Sequence, residues 1–208
     1  MILIGQFDSP FVRRVGVALE LYGVPYEHRP WSTWGDAERL AQYNPLRRVP
    51  TLILEDGECL LESTAILEYL DEGAGAERAL LPRQGPVRRD GLRVCALATG
   101  LADKAVSLFY ERLLHAQTSD QWTERCRAQI GGVLAVLEAD RARRSTAHWI
   151  GNCLSHADIA VTCALRFLAE AHPGAFALSE FPTLSAHSDA CEALPVFRKI
   201  AQPFFVQT

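Results

Sequence analysis

Apolar positions along the first third of the chain change period repeatedly. Ile2, Leu3 and Ile4 form a short unbroken run that predicts a strand over 2–7. Val12, Val15, Ala18 and Leu19 then recur at helical spacing, which predicts a helix over 11–21 that Gly23-Val24-Pro25 ends. A short strand over 26–29 follows, then a short helix over 36–42 capped by Asp36. Leu52, Ile53 and Leu54 predict a strand over 51–54, with Asp56-Gly57 as a hairpin turn and 58–60 as the return strand. Apolar residues spaced for one buried face predict a helix over 62–72.

Strand signals stop there. The stretch 73–86 carries Gly73, Gly75, Pro82, Gly85 and Pro86 with little periodicity, and reads as a linker. Long amphipathic helices are predicted over 87–115 and 120–144, a strongly apolar one over 157–169, and shorter ones over 182–193 and 195–201. A run of helices after a mixed segment argues for a second domain of a different class. The expected division is an α/β domain over 1–78, a linker over 79–86 and an all-helical domain over 87–208. One local signal is sharp. In Ser155-His156-Ala157-Asp158 a hydroxyl precedes an acid by three residues just before an apolar run, the pattern of a capping box with Asp in place of Glu.

Composition narrows the function classes. With 208 residues, 49% hydrophobic and 22% charged, the chain has the make-up of an ordinary soluble protein. A net charge of -4 offers no footprint for nucleic acid or an anionic membrane. No run approaches the ~20 apolar residues of a membrane span. The chain opens on strand-like residues without a basic segment leading into a long apolar one, so no signal peptide is expected. The cysteines, Cys59, Cys95, Cys126, Cys153, Cys163 and Cys191, are scattered singly without a Cys-x-x-Cys pair. They read as reduced, mostly buried thiols of a cytoplasmic protein, with no structural zinc. The histidines are isolated in sequence, so neither a metal site nor a His-based triad is expected.

Two segments carry candidate chemistry. In Val49-Pro50-Thr51-Leu52, the residue before proline is held extended, with main-chain groups available to something strand-like. In Leu61-Glu62-Ser63-Thr64, an acid and a hydroxyl stand where a helix begins, and its N–H groups and positive dipole end suit an anion. Together they suit a short peptide bearing a carboxylate. A third segment, Ser9-Pro10-Phe11-Val12-Arg13-Arg14, places a hydroxyl at an N-cap and proline at the first helical position. Ser9 is either a helix cap or a hydroxyl donor for chemistry. Arg13 and Arg14 either add to an anion-binding field or are solvated.

These segments, with Asn44-Pro45-Leu46-Arg47-Arg48 ahead of Val49 and Ala65-Ile66 after Thr64, resemble the glutathione S-transferase family, most of all its bacterial serine-type members. The resemblance spans the chain and implies a thioredoxin-like N-terminal domain followed by an all-helical C-terminal domain. It implies glutathione as co-substrate, no metal, and a homodimer acting in detoxification. Pro50 would be a cis proline, Val49 would pair with the cysteinyl backbone of glutathione, and Glu62 and Ser63 would hold its γ-glutamyl end. Ser9 would stabilise the thiolate. It matches the first cysteine of a Cys-Pro-x-Cys turn and Val12 the second, which argues against dithiol redox chemistry. Arg48 would meet the glycyl carboxylate, or is a solvated loop arginine. Trp31 and Trp34 would close over the tripeptide, wall a second pocket or pack in the core. Phe11, Trp34, Phe109 and Tyr110 are the candidates for an electrophile pocket, with core packing as the other reading of the helix aromatics. The resemblance also covers two alternatives: a non-catalytic protein of the stringent-starvation type that binds RNA polymerase, and a glutathione-dependent isomerase or dehalogenase. The double-serine turn of maleylacetoacetate isomerases is absent, because residues 8–10 read Asp8-Ser9-Pro10.

Overall fold

The computed structural model describes residues 1–205. The chain forms two compact units. Among the described residues the first holds 1–83 together with 194–205; the second is Gln84–Ala193.

In the first unit the elements run β1 (Ile2–Ile4), α1 (Pro10–Tyr22), β2 (Glu27–Arg29), α2 (Ala37–Ala41), β3 (Thr51–Ile53), β4 (Cys59–Leu61) and α3 (Ser63–Ala74). The four strands make one sheet in the order β2-β1-β3-β4, with β2 parallel to β1 and the other pairs antiparallel. This is a thioredoxin-like arrangement. Side chains on a strand alternate between faces, and here adjacent residues part company. Leu3 and Leu52 join Val12, Val15, Leu19, Ile66 and Leu70 beneath α1 and α3, whereas Ile4 and Ile53 meet Leu40 of α2.

The short helix departs from expectation in one detail. Asp36 stands at its N-cap but makes no capping bond; its carboxylate accepts the Ser32 N–H (3.0 Å) and pairs with Arg39 (3.2 Å). The segment before α2 curls back, so the carboxylate meets Ser32 instead of the first helical turn. Tyr22, at the end of α1, donates its hydroxyl to Asp71 of α3 and accepts the Leu80 N–H (2.9 Å), tying 80 to both helices. Burial and the Asp71 carboxylate both push this phenol well above its ordinary range.

The second unit is all helical: α4 (Pro86–Leu114), α5 (Asp120–Ala142), α6 (His156–Ala171), a 3-10 turn (Leu178–Glu180) and α7 (Pro182–Glu192). On α4 the buried positions Val94, Ala98, Leu101, Ala105 and Leu108 mark a single stripe. Helix α6 is buried almost all round and packs against α4 and α7. The capping box at its start forms: the Asp158 carboxylate accepts the Ser155 N–H (2.8 Å) and the Ser155 hydroxyl (2.5 Å). Replacing Ser155 by alanine is expected to cost about 1 kcal/mol, read as a lower midpoint in urea at unchanged slope. An unmoved midpoint refutes it.

Helical pattern alone groups the last helix with this bundle. Instead α8 (Pro195–Lys199) packs on α1 of the first unit. Arg13 explains why, and its solvated reading is thereby overturned. Its side chain is buried, donates to the carbonyls of Ile200 (2.7 Å) and Phe197 (3.0 Å), and lies over the Phe197 ring. Arg14 is buried too. Among the described residues no helix is long and apolar enough to cross a membrane. The cysteines are free thiols, with Cys153 exposed and four others buried.

Candidate functional site

Sheet register brings the three sequence segments to one end of the sheet. Ile4, the last residue of β1, pairs with Thr51, the first of β3, and Thr51 pairs with Leu61, the last of β4. The Ser9 turn leaves β1 there, Val49 and Pro50 enter β3 there, and Glu62 and Ser63 leave β4 there. Gly5 allows the close approach. A Cβ on it would lie 2.5 Å from Val12 and 2.8 Å from Val49, and its φ of +130° disfavours any L side chain.

The turn after β1 is closed by the Ser9 N–H donating to the Gln6 carbonyl (3.1 Å). Ser9 then caps α1, its hydroxyl oxygen accepting the Val12 N–H over a long 3.4 Å, with Pro10 at the first helical position. The cap uses an oxygen lone pair and leaves the hydroxyl proton to donate elsewhere. Cap and donor are therefore compatible roles.

The loop before β3 is shaped by Asn44, which is buried. Its amide donates to the Arg48 carbonyl (2.8 Å) and Thr51 Oγ1 (3.2 Å), and its oxygen accepts the Leu46 N–H (3.0 Å). The Val49–Pro50 bond is cis, as the resemblance implies. The ladder with β1 begins only at Thr51, so the Val49 main chain lies outside it.

At the start of α3, Glu62 adopts φ 67° and ψ 126°, an uncommon conformation for a residue other than glycine, and makes no side-chain cap. The N–H groups of Ser63, Thr64 and Ala65 precede the first helical bond, which joins Ile66 to the Glu62 carbonyl (3.1 Å). Arg48 Nη1 lies 3.5 Å from Glu62 Oε1, so the loop cation sits beside the acid, in an exposed pair of small energetic weight. Ser63 is buried, and Arg14 Nη1 donates to its Oγ (3.4 Å). A guanidinium behind a hydroxyl at a helix start raises the positive potential for an anion. Arg14 is buried, so its solvated reading does not hold.

The four aromatic candidates divide between the units. Phe11 is partly buried on the first turn of α1, and Trp34 is 58% exposed in the bend before α2. Phe109 and Tyr110 are partly buried on α4 of the second unit, their rings edge to face at 5.3 Å. Trp31 packs with Ile4, Leu40 and Ile53, which is the core reading.

The histidines are not isolated in space. His187 Nε2 meets Asp158 Oδ1 at 3.1 Å, and the Cys191 thiol lies 3.7 Å from that same nitrogen. One nitrogen facing both groups cannot pass a proton from thiol to carboxylate, and burial pushes the Cys191 thiol up to about 11. The cluster is structural. Among the described residues no group of three or more His, Cys, Asp or Glu side chains is arranged to hold a metal ion.

Comparison with known proteins gives this arrangement a family. The sequence profile of the glutathione S-transferase N-terminal domain matches residues 8–72, and that of the C-terminal domain matches residues 120–190. YibF of Escherichia coli (strain K12), an uncharacterized GST-like protein, is 33% identical over 172 residues, covering 81% of this chain and 82% of that protein. The chain belongs to the glutathione S-transferase family. A glutathione S-transferase from Methylobacterium radiotolerans, crystallised with glutathione sulfonate, has a TM-score of 0.89 at 29% identity, covering 100% of this chain and 98% of that one. A glutathione transferase family member from Pseudomonas fluorescens Pf-5, with bound glutathione, has a TM-score of 0.84 at 32% identity, covering 98% and 99%. A probable maleylacetoacetate isomerase from Vibrio cholerae is 32% identical over 213 residues, covering 97% of this chain and 95% of that protein. In this glutathione S-transferase family member the motif residue Asn44 has a role that spacing does not announce, because its three bonds form only once the loop folds back.

Proposed function

We propose that this family member is a cytoplasmic, dimeric glutathione transferase whose thiolate is stabilised by Ser9. The observation that carries the reading is the register row Ile4–Thr51–Leu61, which brings the Ser9 turn, Val49–Pro50 and Glu62–Ser63 to one end of the sheet. Glutathione in extended form pairs its cysteinyl main chain with Val49. Its γ-glutamyl carboxylate meets the N–H groups at the start of α3 and the Ser63 hydroxyl, and its amino group meets Glu62. The glycyl carboxylate meets Arg48, which exchanges its partner Glu62 for the ligand.

The cysteinyl sulfur then lies at the Ser9 hydroxyl. The thiol loses its proton to solvent, and the Ser9 O–H donates to the thiolate that remains. The thiolate attacks an electrophilic carbon; the new S–C bond forms as the leaving group departs with its electron pair. The protein contributes orientation and electrostatics rather than a covalent nucleophile. Phe11 and Trp34 offer apolar surface to the electrophile. Isomerisation is the second reading, supported by isomerase relatives spanning nearly the whole chain. There the thiolate adds to an unsaturated carbon and leaves again after bond rotation, so glutathione is not consumed.

The test is the thiolate absorbance of bound glutathione against pH, for the wild type and Ser9→Ala. A free thiol titrates near about 8.5, and each unit of lowering is ~1.4 kcal/mol. The wild type is expected to lower the bound thiol by one to two units (about 1.4–2.8 kcal/mol), and Ser9→Ala to return it most of the way. Binding with an unshifted thiol sinks the Ser9 mechanism; no binding moves the reading to a non-catalytic interaction protein.

A further inference from the structure

The Ser9 turn is held from behind by the end of the chain. Phe7, two residues before Ser9, donates its N–H to the side-chain oxygen of Gln202 at 3.1 Å. Its ring stacks on His28, with centroids 3.9 Å apart and planes 18° from parallel, and His28 in turn meets the Gly5 carbonyl through Nε2 at 2.8 Å. On its other side Phe7 reaches Gly16. A Cβ there would stand 2.7 Å from Phe7 Cε1 and 3.0 Å from Ile200 Cγ2, so the bare glycine lets the turn and the C-terminal segment meet on one point of α1. Arg13 fixes that segment through Phe197 and Ile200, and Lys199 Nζ pairs with Glu20 at 2.6 Å. A 3.5 Å approach of the Phe205 N–H to Asp8 Oδ2 adds a weak outer contact.

Within the turn the Ser9 N–H bonds the Gln6 carbonyl, and Phe7 between them is held by Gln202. A hydroxyl donor works on a thiolate only while its direction is held, and a small misplacement costs rate far beyond its cost in stability. We propose that Gln202, carried on the Arg13-clamped segment 197–202, is the positioning residue for Ser9. It touches no substrate and acts by holding the Phe7 N–H and, through it, the direction of the Ser9 hydroxyl. This rests on the Ser9 mechanism proposed above.

The charged and titratable groups in contact with the turn and its C-terminal support include Asp8, Arg13, Glu20, His28 and Lys199, and Gln202→Leu alters none of them. Gln202 is partly exposed, so its replacement leaves the core intact. The experiment compares wild type, Gln202→Leu, Gln202→Glu and Ser9→Ala, reading the thiol pKa of bound glutathione, the melting temperature, and hydrogen exchange at the Phe7 amide. Gln202→Leu is expected to raise the bound-thiol pKa by about one unit and speed Phe7 exchange about tenfold, with the melting temperature within a few degrees of wild type. Gln202→Glu, which keeps an acceptor oxygen but adds a negative charge, is expected to keep Phe7 exchange near wild type. A shifted wild-type thiol that Ser9→Ala abolishes and Gln202→Leu leaves unmoved overturns this inference alone. An unshifted thiol in the wild type overturns the Ser9 mechanism and this inference with it.

Discussion

Replacing Asp158 by alanine is expected to lower the melting temperature by about 6–12 °C, from a stability loss of roughly 3 kcal/mol or more. The side chain is completely buried. It accepts the main-chain N–H groups of Trp149 (2.8 Å) and Ser155 (2.8 Å), the Ser155 hydroxyl (2.5 Å) and His187 Nε2 (3.1 Å). Alanine leaves buried donors without an acceptor, each costing about 1–3 kcal/mol, which is why the loss exceeds that of Ser155→Ala. Trp149 amplifies it. Its indole N–H donates to Asp140 at 2.9 Å, and Asp140 is held down to about 2: burial works against ionisation, but Trp149 and Arg144 outweigh it.

The same residue sets a pH dependence. Burial opposes the Asp158 charge, yet donors from His187, Ser155 and Trp149 win and hold the carboxyl below its ordinary value. A carboxylate lowered in the folded state contributes stability above its unfolded pKa, near about 3.9, and loses it as pH falls through the lower folded value. The gap between wild type and Asp158→Asn is therefore expected to be full at pH 7 and to shrink below about pH 4. Melting curves at both pH values check it; a gap that stays constant into acid shows that the charge is not what stabilises.

Asp158 also marks where sequence reading stops. The acid three residues after Ser155 is visible as a local pattern, and so is the helix it caps. Trp149 and His187 approach from outside that helix, and nothing in the spacing announces them. The sheet was legible for the same local reason: Ile2-Leu3-Ile4 and Leu52-Ile53-Leu54 are short apolar runs, and Val12, Val15 and Leu19 share a stripe. Arg13 lies among those apolar positions and reads as solvated, because its carbonyl partners come from a segment near the far end of the chain. The site motifs were visible one by one. Their convergence needed the pairing of Ile4 with Thr51 and of Thr51 with Leu61, a non-local fact. Asn44 stood in a motif without a role and Gln202 gave no signal, since each acts through main-chain groups of loops that fold back on it.

Glu62→Gly is expected to weaken glutathione binding by about 10- to 150-fold while leaving the protein more stable than Glu62→Ala does. At φ 67° and ψ 126° a side chain crowds its own main chain, and such conformations cost about 1–3 kcal/mol. Glycine removes that cost. Against it stand about 0.4–1 kcal/mol of extra freedom in the unfolded chain and the loss of the exposed pair with Arg48, worth at most about 1 kcal/mol. The balance against wild type runs from about 1 kcal/mol against the variant to roughly 2.6 kcal/mol in its favour; against Glu62→Ala, which loses the same pair, it runs from nothing to roughly 2.6 kcal/mol in favour of glycine. For the ligand, the carboxylate's charge-assisted bond to the γ-glutamyl amino group is worth about 1.5–3 kcal/mol, and each ~1.4 kcal/mol is tenfold in affinity. Glu62→Ala separates the two effects, since it removes the carboxylate but keeps a Cβ in the crowded conformation. Calorimetric titration should find both variants equally weak, and thermal melts should find the glycine variant more stable than the alanine variant. Unchanged glutathione affinity in both would remove Glu62 from the site. Equal melting temperatures with affinity lost would instead mean that the conformation stores no strain and that the acid is kept for the ligand alone.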